Sequence, residues 1–260
     1  MEAFLKQIIR DAGQMSAEYF QKGVTFTVKS NLSDLVTEAD VAVNSFLIEK
    51  IQERYPDHKI TSEEEDEKGP GDADYEWIID PIDGTANFIH GIPHFAISIA
   101  AREKGKLAVG LIYDPIRREM FTAAKGEGAK LNDRKIRISQ QKTLEGAIIG
   151  TGFPFKKHSV LPEYLKQFES IFTQTAGIRR AGAASLDLAY VAAGRLDGFW
   201  ELDLKPWDIA AGALLIREAG GMITDQHGTD DYLKSGSVVA GNVKMLKVLL
   251  ETIAKANAKE

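Results

Sequence analysis

The first twenty residues carry apolar side chains at helical spacing. Apolar positions recur every three or four residues from Phe4 to Tyr19, with charged residues between them. This periodicity predicts an amphipathic helix that ends near Gly23, where glycine is expected to form a left-handed cap. Residues 24–28, VTFTV, then alternate polar and apolar side chains as a short strand does. The chain is therefore predicted to open with a helix and a strand.

A second helix is predicted to begin near Thr37. Thr37 and Asp40 have the spacing of a capping box, and the amphipathic pattern behind them continues to about Tyr55. The acidic run SEEEDEKGPGDAD that follows favours a surface loop, since like charges repel one another. Three strand-like runs separated by turn residues come next and indicate an antiparallel sheet: FAISIAARE, LAVGLIYD and EMFTAAK.

From about Gly146 onward, strand-like and helix-like segments alternate, which is typical of α/β architecture. The strand-like segments are AIIGT, DGFWE, MITD and VVAGN, and the helix-like ones are residues 162–173, SLDLAYVAAG, DIAAGALLIREAGG and the C-terminal stretch. We therefore predict an N-terminal α+β half, residues 1–140, and a C-terminal α/β half, residues 141–260. Because no long linker or repeat separates the halves, we expect them to form one rigid body.

The composition narrows the classes of function. Of the 260 residues 44% are hydrophobic, the formal net charge is −6, and cysteine is absent. No basic surface for nucleic acid is expected, and disulfides and cysteine nucleophiles are excluded. Charged residues interrupt the apolar positions of the first helix, so this segment is predicted to be neither a signal peptide nor a membrane span. We therefore expect a cytoplasmic protein. An acidic protein that binds an anionic substrate would need local cations, such as metal ions.

The segment WIIDPIDGT contains the most informative acids. An apolar strand is expected to end at Asp80, because Pro81 cannot donate to a strand ladder. Asp83 follows three residues later, and Gly84 permits a close backbone approach. Two carboxylates at a strand end, beside the amides of a helix start, would bind a hard cation and a phosphate group. The same residue types also favour an ordinary turn, so this segment alone leaves both interpretations open.

Other acidic residues have ordinary explanations when each is considered alone. Glu63 and Glu64 stand in a charged run that is typical of solvated surface. Asp40 is explained equally well as the third residue of its capping box. Asp208 follows Pro206 at a helix start, where it would complement the helix dipole. These separate explanations do not account for the joint pattern of the acids.

The joint pattern resembles the inositol monophosphatase family over nearly the whole chain. The matching segments are Lys29, Asp34–Thr37 with Asp40, Glu63–Glu64, Asp80–Asn87 (DPIDGTAN), and Pro206–Gly212 (PWDIAAG) with Glu218–Gly221. Gly152–Phe155 and Leu186–Gly198 are similar to the bacterial branch of the family. Ala86 and Ala183 stand where the family often has a hydroxyl side chain. These two departures bear on substrate preference more than on the class of reaction.

The resemblance implies a layered αβαβα sandwich of the sugar-phosphatase type, in the α/β (α+β) class, as well as a homodimer and inhibition by lithium. It also implies two to three Mg²⁺ ions, most of whose ligands lie in the N-terminal half. The first ion would be held by Glu63, Asp80 and the carbonyl oxygen of Ile82, the second by Asp80, Asp83 and Asp208, and a weaker third by Glu63 and water. Oxygen ligands of this kind suit Mg²⁺.

The same resemblance assigns roles around the reacting phosphate. Catalytic roles fall on Asp40, Thr85 and Glu63, of which Asp40 and Thr85 would orient and deprotonate the attacking water. The amides of Gly84 and Thr85 would bind phosphate oxygens, and other groups would face the polyol hydroxyls. The implied substrate contacts are Asp83, Gly84, Thr85, Gly182, Ala183, Ala184, Glu201 and Asp208.

The resulting prediction is a Mg²⁺-dependent phosphomonoesterase that hydrolyses inositol 1-phosphate to inositol and phosphate by in-line attack of a metal-activated water. The sequence lacks the motifs of aspartyl and histidine phosphatases, nucleotide kinases and serine hydrolases. Fructose 1,6-bisphosphate, NADP(H) and adenosine 3′,5′-bisphosphate remain alternative substrates within the superfamily. A role of another class also stays open, because bacterial relatives are implicated in ribosomal RNA transcription antitermination through elongation-factor partners.

Overall fold

The computed structural model describes residues 1–28, 35–154 and 157–258. Its helices are α1 Glu2–Lys22, α2 Glu38–Arg54, α3 Thr85–Ile89, α4 Leu161–Phe172, α5 Ala184–Ala192, α6 Pro206–Glu218, α7 Tyr232–Ser235 and α8 Val243–Asn257. Its strands are β1 Phe26–Val28, β2 Leu35–Thr37, β3 Lys59–Ser62, β4 Tyr75–Asp83, β5 Ala96–Glu103, β6 Lys106–Asp114, β7 Glu119–Ala124, β8 Gly128–Leu131, β9 Arg134–Lys135, β10 Ile148–Thr151, β11 Gly177–Arg179, β12 Gly198–Glu201, β13 Met222–Thr224 and β14 Val238–Gly241. Of the matched motifs, Lys29, Asp34 and Phe155 lie outside the described residues.

The first large sheet contains seven strands, β3 to β9, arranged in sequence order. Strands β3 and β4 run parallel, and every later pair of neighbours is antiparallel. The predicted antiparallel strands are β5, β6 and β7, so that prediction is confirmed. The hydrophobic pattern did not predict β8 and β9, which are short and partly exposed.

The two faces of this sheet contact different helices, because successive side chains of a strand point to opposite sides. Trp77 and Ile79 of β4 pack with α1 and α2, in a core that includes Leu5 and Leu47. Ile78 points the other way and packs in a second core with residues of α5 and α6. The sheet therefore lies between two layers of helices.

The second large sheet has the order β11-β10-β12-β14-β13. It is mixed, since β10 pairs in parallel with β11 and β12, whereas β14 pairs antiparallel with β12 and β13. Phe199 of β12 packs in the core with α5 and α6, and the next residue, Trp200, packs with Tyr164 of α4 and Leu249 of α8. The layers are therefore α1/α2, seven strands, α5/α6, five strands and α4/α8. The predicted layered αβαβα fold is confirmed.

Small residues allow the central helix α6 to lie close to the seven-stranded sheet. A Cβ atom placed on Gly110 of β6 would lie 3.0 Å from the Cα of Ala211 in α6. Gly212 meets α5 in the same manner, since a Cβ there would lie 2.5 Å from the Cβ of Leu188. The Ala-Ala-Gly run of α6 is therefore a packing feature, and it fixes where the first turn of that helix points.

The N-terminal segment differs from the prediction in one detail. Helix α1 ends at Lys22 as expected, but Gly23 has φ 75° and ψ 155°, so it is not a left-handed helical cap. The strand predicted at 24–28 is β1, which pairs with β2. Within the described part of the chain, no helix combines the length and apolar character needed to cross a membrane. The division of the chain into two halves near residue 140 stays a prediction.

Candidate active site

Strand β4 carries two of the predicted acids on a bulge. The strand does not end at Asp80, as the sequence predicted, but pairs with β5 at Asp80 and again at Asp83. Between these positions Pro81 and Ile82 oppose a single residue of β5. The missing N–H of Pro81 therefore interrupts the ladder only locally, since a bulge absorbs the extra residue. The amide of Ile82 donates to Asp80 Oδ1 at 3.0 Å, which fixes the carboxylate on this bulge.

The turn after Asp83 requires glycine. Gly84 has φ 95° and ψ 33°, a left-handed conformation, and it precedes the short helix α3. A Cβ atom at this position would also lie 3.0 Å from the carbonyl oxygen of His94. The backbone can therefore pass this point, with Thr85 at the first position of α3, only without a side chain at residue 84.

Three predicted metal ligands converge in space. One carboxylate oxygen from each of Asp80, Asp83 and Asp208 lies within 4.8 Å of the others. Asp208 stands at the third position of α6, where its Oδ2 accepts a hydrogen bond of 2.7 Å from the amide of Lys205. Its helix-capping role and its place beside the other two acids are thus compatible. Glu63, the remaining predicted carboxylate, lines the same cleft but lies outside this group of three.

The electrostatics of the group favour a bound cation. Burial is the main cause that raises the pKa of Asp80 well above its ordinary value, and the charges of Glu63 and Asp83 raise it further. Burial also raises the pKa of Asp83 to about 6. Carboxylates packed this closely repel one another in the ionised state. A divalent cation removes that repulsion, and an all-oxygen donor set suits Mg²⁺, so the residues fit the predicted metal.

Asp83 is also held by a residue that the sequence did not single out. The amide and the hydroxyl of Ser185, in the first turn of α5, donate to Asp83 Oδ2 at 2.8 and 2.5 Å. These hydrogen bonds oppose the effect of burial and lower the pKa of Asp83. They also leave the other carboxylate oxygen, Oδ1, on the side away from Ser185.

The predicted catalytic pair lies behind the acids. Thr85 Oγ1 is 3.0 Å from the carbonyl oxygen of Ile82 and 3.3 Å from Asp40 Oδ1. Asp40 is buried, and its Oδ2 accepts hydrogen bonds from the amide, at 2.8 Å, and the hydroxyl of Thr37. The predicted capping box is therefore present. Asp40 contacts Thr85 through Oδ1, the carboxylate oxygen that takes no part in the cap.

The other predicted substrate residues line one cleft with the acids, a cavity of about 180 Å³. Its walls include Glu63, Asp80, Ile82, Asp83, Gly84, Thr85, Gly182, Ala183, Ala184, Glu201 and Asp208, whereas Asp40 stands behind Thr85. Arg180 and Lys205 add positive charge to the lining. A phosphate group that enters this cleft would therefore stay close to positively charged side chains.

The loop before α5 is anchored by Asn87, the last residue of the first matched signature. Its Nδ2 donates to the carbonyl oxygens of His94 and Ala181 at 2.8 and 2.9 Å. The signature therefore positions not only its own acids but also the backbone of residues 181–184. No role for Asn87 is predictable from the sequence, because its partner Ala181 is 94 residues away.

Glu201, at the end of β12 in the five-stranded sheet, also lines the cleft. A Cβ atom placed on Gly152 would lie 2.0 Å from Glu201 Oε1, so glycine at position 152 makes room for this carboxylate. Burial is the main cause that raises the pKa of Glu201 well above its usual value, and the nearby charges of Asp187 and Asp208 add to it. The cleft is thus lined by acids from both large sheets.

Comparison of the sequence with known proteins identifies the family of this chain. A family model described as the inositol monophosphatase family matches residues 1–259. The chain belongs to the inositol monophosphatase family. Among curated members, Nus factor SuhB of Pseudomonas aeruginosa is 51% identical over 250 residues, which cover 94% of this chain and 92% of that protein.

Solved structures of the inositol monophosphatase family share the fold. The extragenic suppressor protein suhB of Bartonella henselae is 39% identical, with a TM-score of 0.94 and coverage of 98% of both chains. An inositol monophosphatase from Anabaena is 34% identical, with a TM-score of 0.87, and the match covers 97% of this chain and 94% of that one. The family and its neighbours thus support a phosphatase of this superfamily.

Proposed function

We propose that the chain is a Mg²⁺-dependent phosphomonoesterase that hydrolyses inositol 1-phosphate to inositol and phosphate. The observation that carries the proposal is the convergence of Asp80, Asp83 and Asp208 within 4.8 Å, next to the contact between Thr85 and Asp40. A purely structural protein gains nothing from such a group, since buried carboxylates that repel one another lower stability.

Two to three Mg²⁺ ions would be held as the family resemblance implies. The proposed ligands are Glu63, Asp80 and the carbonyl oxygen of Ile82 for one ion, and Asp80, Asp83 and Asp208 for another. When bound, Mg²⁺ would neutralise phosphate charge and acidify a water molecule. Asp80 is buried on the bulge and fixed by the amide of Ile82, which suits a ligand shared between ions.

Asp40 and Thr85 would position and deprotonate the attacking water. The contact of 3.3 Å between Asp40 Oδ1 and Thr85 Oγ1 allows the proton of the threonine hydroxyl to pass toward the carboxylate, so that the hydroxyl oxygen can accept a proton from water. Thr37 holds Asp40 by its other oxygen. General base catalysis of this kind contributes about 10²–10⁴-fold to rate.

The substrate would lie with its phosphate toward β4 and its alcohol toward β12. We propose that the amides of Gly84 and Thr85 bind the phosphate, beside the predicted contacts of Asp83 and Asp208. The polyol hydroxyls would face Glu201 and the backbone of Gly182, Ala183 and Ala184, which line the same cleft. Carboxylates accept hydrogen bonds from hydroxyl groups, so these walls suit a polyol.

A comparison of substrates tests the proposed specificity. Phosphate release with Mg²⁺ would be measured for inositol 1-phosphate, fructose 1,6-bisphosphate, NADP and adenosine 3′,5′-bisphosphate. The proposal predicts that kcat/KM is highest for inositol 1-phosphate. If another compound leads, the metal-dependent mechanism stands and the substrate is different.

As a second candidate we propose a transcription-related binding role. It is supported by the name of the Pseudomonas aeruginosa relative, Nus factor SuhB, which is 51% identical to this chain. Affinity capture from a bacterial lysate would use the wild-type protein and the Asp83→Ala variant. Recovery of the same elongation factors by both would separate binding from catalysis, whereas recovery of none would count against the role.

We also propose a homodimer, as the family resemblance implies. Its support here is an apolar face of α4 at helical spacing, where Leu161, Leu165 and Phe172 are 36%, 52% and 54% exposed. Leu165→Glu should shift the mass measured by light scattering from dimer to monomer. Met222→Glu, at an apolar residue of β13 that is 42% exposed, is the matched control and should leave the dimer intact. A wild-type protein that is monomeric at high concentration would contradict this proposal.

A further inference from the structure

A buried acid with one unpaired carboxyl oxygen lies in the cleft, apart from the residues already assigned. Asp187, on α5, is 2% exposed and contributes to the lining. Its Oδ1 atom is buried and has no hydrogen-bond partner among the described residues. A buried carboxyl oxygen without a hydrogen bond destabilises a fold, because it has lost its contacts with water and gained none in return. Such a cost indicates a role for the group other than stability.

The position of Asp187 identifies the part of the cleft that it serves. A Cβ atom placed on Gly150 of β10 would lie 3.8 Å from the Cβ of Asp187. Gly152, just beyond the end of that strand, adjoins Glu201. Asp187 therefore stands on the same side of the cleft as Glu201. Asp83, by contrast, is held by Ser185 at the start of α5. Asp187 therefore faces the alcohol side of the proposed substrate and not the phosphate side.

The charges around Asp187 favour a neutral hydroxyl group over a phosphate. Burial is the main cause that raises its pKa well above the ordinary value, the charge of Asp83 raises it further, and Arg180 opposes both. An anionic phosphate would be repelled by the acids on this wall. A hydroxyl group can donate to a carboxylate and accept from a carboxylic acid, so it satisfies Oδ1 in either state.

We propose that Asp187 is a specificity-determining residue whose carboxyl group hydrogen-bonds a hydroxyl group on the alcohol part of the substrate. The inference rests on the proposed phosphatase function and deepens it. The enzyme then discriminates polyol phosphates from phosphate compounds without that hydroxyl, because a ligand that fills the cleft without it leaves a buried acid unpaired.

The first test compares Asp187→Leu with Asp187→Asn. For inositol 1-phosphate, the leucine variant lowers kcat/KM by about tenfold or more, mainly through a higher KM. Its affinity for inorganic phosphate, which lacks the alcohol, stays within about twofold. The asparagine variant, which still forms hydrogen bonds, stays within about threefold of wild type in kcat/KM. The melting temperature of the leucine variant rises, because a buried unpaired group is gone. Parallel losses for both ligands, or no change in either, overturn the proposal.

Asp114 supplies the control for a buried acid with a structural role. It is fully buried, and its Oδ2 accepts from Arg117 at 2.8 Å. Asp114→Asn lowers the melting temperature and leaves the ratio of the two affinities, for inositol 1-phosphate and inorganic phosphate, as in wild type. A change in that ratio as large as the one in Asp187→Leu shows that the effect is not specific to the cleft and overturns the proposal.

A binding measurement separates this inference from the proposed function. Inositol 1-phosphate is titrated with Mg²⁺ into Asp40→Asn and into the double variant Asp40→Asn/Asp187→Leu, so that hydrolysis does not interfere. A loss of affinity of about tenfold in the double variant supports the role of Asp187, even where the wild-type protein releases no phosphate and the proposed function fails. Equal affinities, or no binding to either protein, overturn it.

Discussion

Thr85 Oγ1 lies 3.3 Å from Asp40 Oδ1, although 45 residues separate the two in the chain. The contact joins the start of α2 to the start of α3. Asp40 is fixed there because Thr37 holds its other oxygen through the capping box. A helix cap thus positions the proposed general base.

Asp40→Asn is expected to lower kcat for inositol 1-phosphate by about 10²–10⁴-fold, because an amide cannot take the proton of water. KM should change little, since Asp40 stands behind Thr85 and does not line the cleft. Glu38→Gln is the control, as Glu38 is an exposed acid in the same helical turn, and it should retain the wild-type kcat. A wild-type kcat in Asp40→Asn would remove Asp40 from the mechanism.

Ser185→Ala is expected to weaken Mg²⁺ binding. The hydroxyl of Ser185 lowers the pKa of Asp83, so its loss raises that pKa and favours the protonated acid, which binds metal poorly. The half-saturating Mg²⁺ concentration should rise by about 10–100-fold near the pKa of Asp83, with a smaller effect at higher pH. It is read from the metal dependence of turnover.

Ser16→Ala is the matched control for that variant, because Ser16 is buried in α1 and donates to the carbonyl oxygen of Gly13. It should leave the Mg²⁺ dependence unchanged. A Ser185→Ala protein with wild-type metal dependence at every pH would show that the hydrogen bonds to Asp83 do not tune the site.

Without metal, stability should fall as pH rises through the titration of Asp83. Burial raises the pKa of Asp83 from 3.8 to about 6, so between these values the native state keeps a proton that the unfolded chain has lost. The free energy of unfolding then decreases with pH, by about 3 kcal/mol for this group. Asp80, with its raised pKa, acts in the same direction.

Urea unfolding of metal-free wild type and Asp83→Asn, across this pH window, isolates the contribution. The difference in unfolding free energy between the two proteins should grow in favour of the variant as pH rises. Saturating Mg²⁺ should restore the stability of wild type and not of the variant, because binding to the native state stabilises it. A difference that is constant with pH would contradict the account.

Gly84→Ala should remove both stability and activity. Alanine would strain the left-handed backbone, where φ is 95°, and its Cβ would lie 3.0 Å from the carbonyl oxygen of His94. Gly105→Ala is the control, since Gly105 has φ 77° and open space around it. Both variants should lose about 1 kcal/mol of stability or more, but only Gly84→Ala should lose turnover. Equal activities would mean that this turn does not position the phosphate site.

The sequence predicted local features well where neighbours along the chain determine them. The capping box of Thr37 and Asp40 is an example, because both partners lie in one helical turn. The end of β4 was predicted wrongly at Asp80, since the sequence could not show that a bulge accommodates Pro81. The order of the layers followed from family resemblance, whereas the mixed pairing of the second sheet depends on contacts between distant strands.

The acids of the site could be predicted, but the residues that support them could not. Ser185 contacts Asp83 across 102 residues, and Asn87 reaches Ala181 across 94. A serine or an asparagine gives no pattern of its own in a single sequence. Asp187 was hidden for another reason, because it stands in an apolar helix, where its environment and not its spacing makes it unusual.

Whether the acids at β4 and α6 bind Mg²⁺ for phosphate hydrolysis can be measured as phosphate release from inositol 1-phosphate while Mg²⁺ is titrated into metal-free wild type and Asp208→Asn. We expect no release without Mg²⁺, saturable release by wild type, and loss of that response in the variant, whose circular dichroism stays that of the folded protein. Release that is independent of Mg²⁺, an equal response in Asp208→Asn, or no release by folded wild type at saturating Mg²⁺ would contradict it.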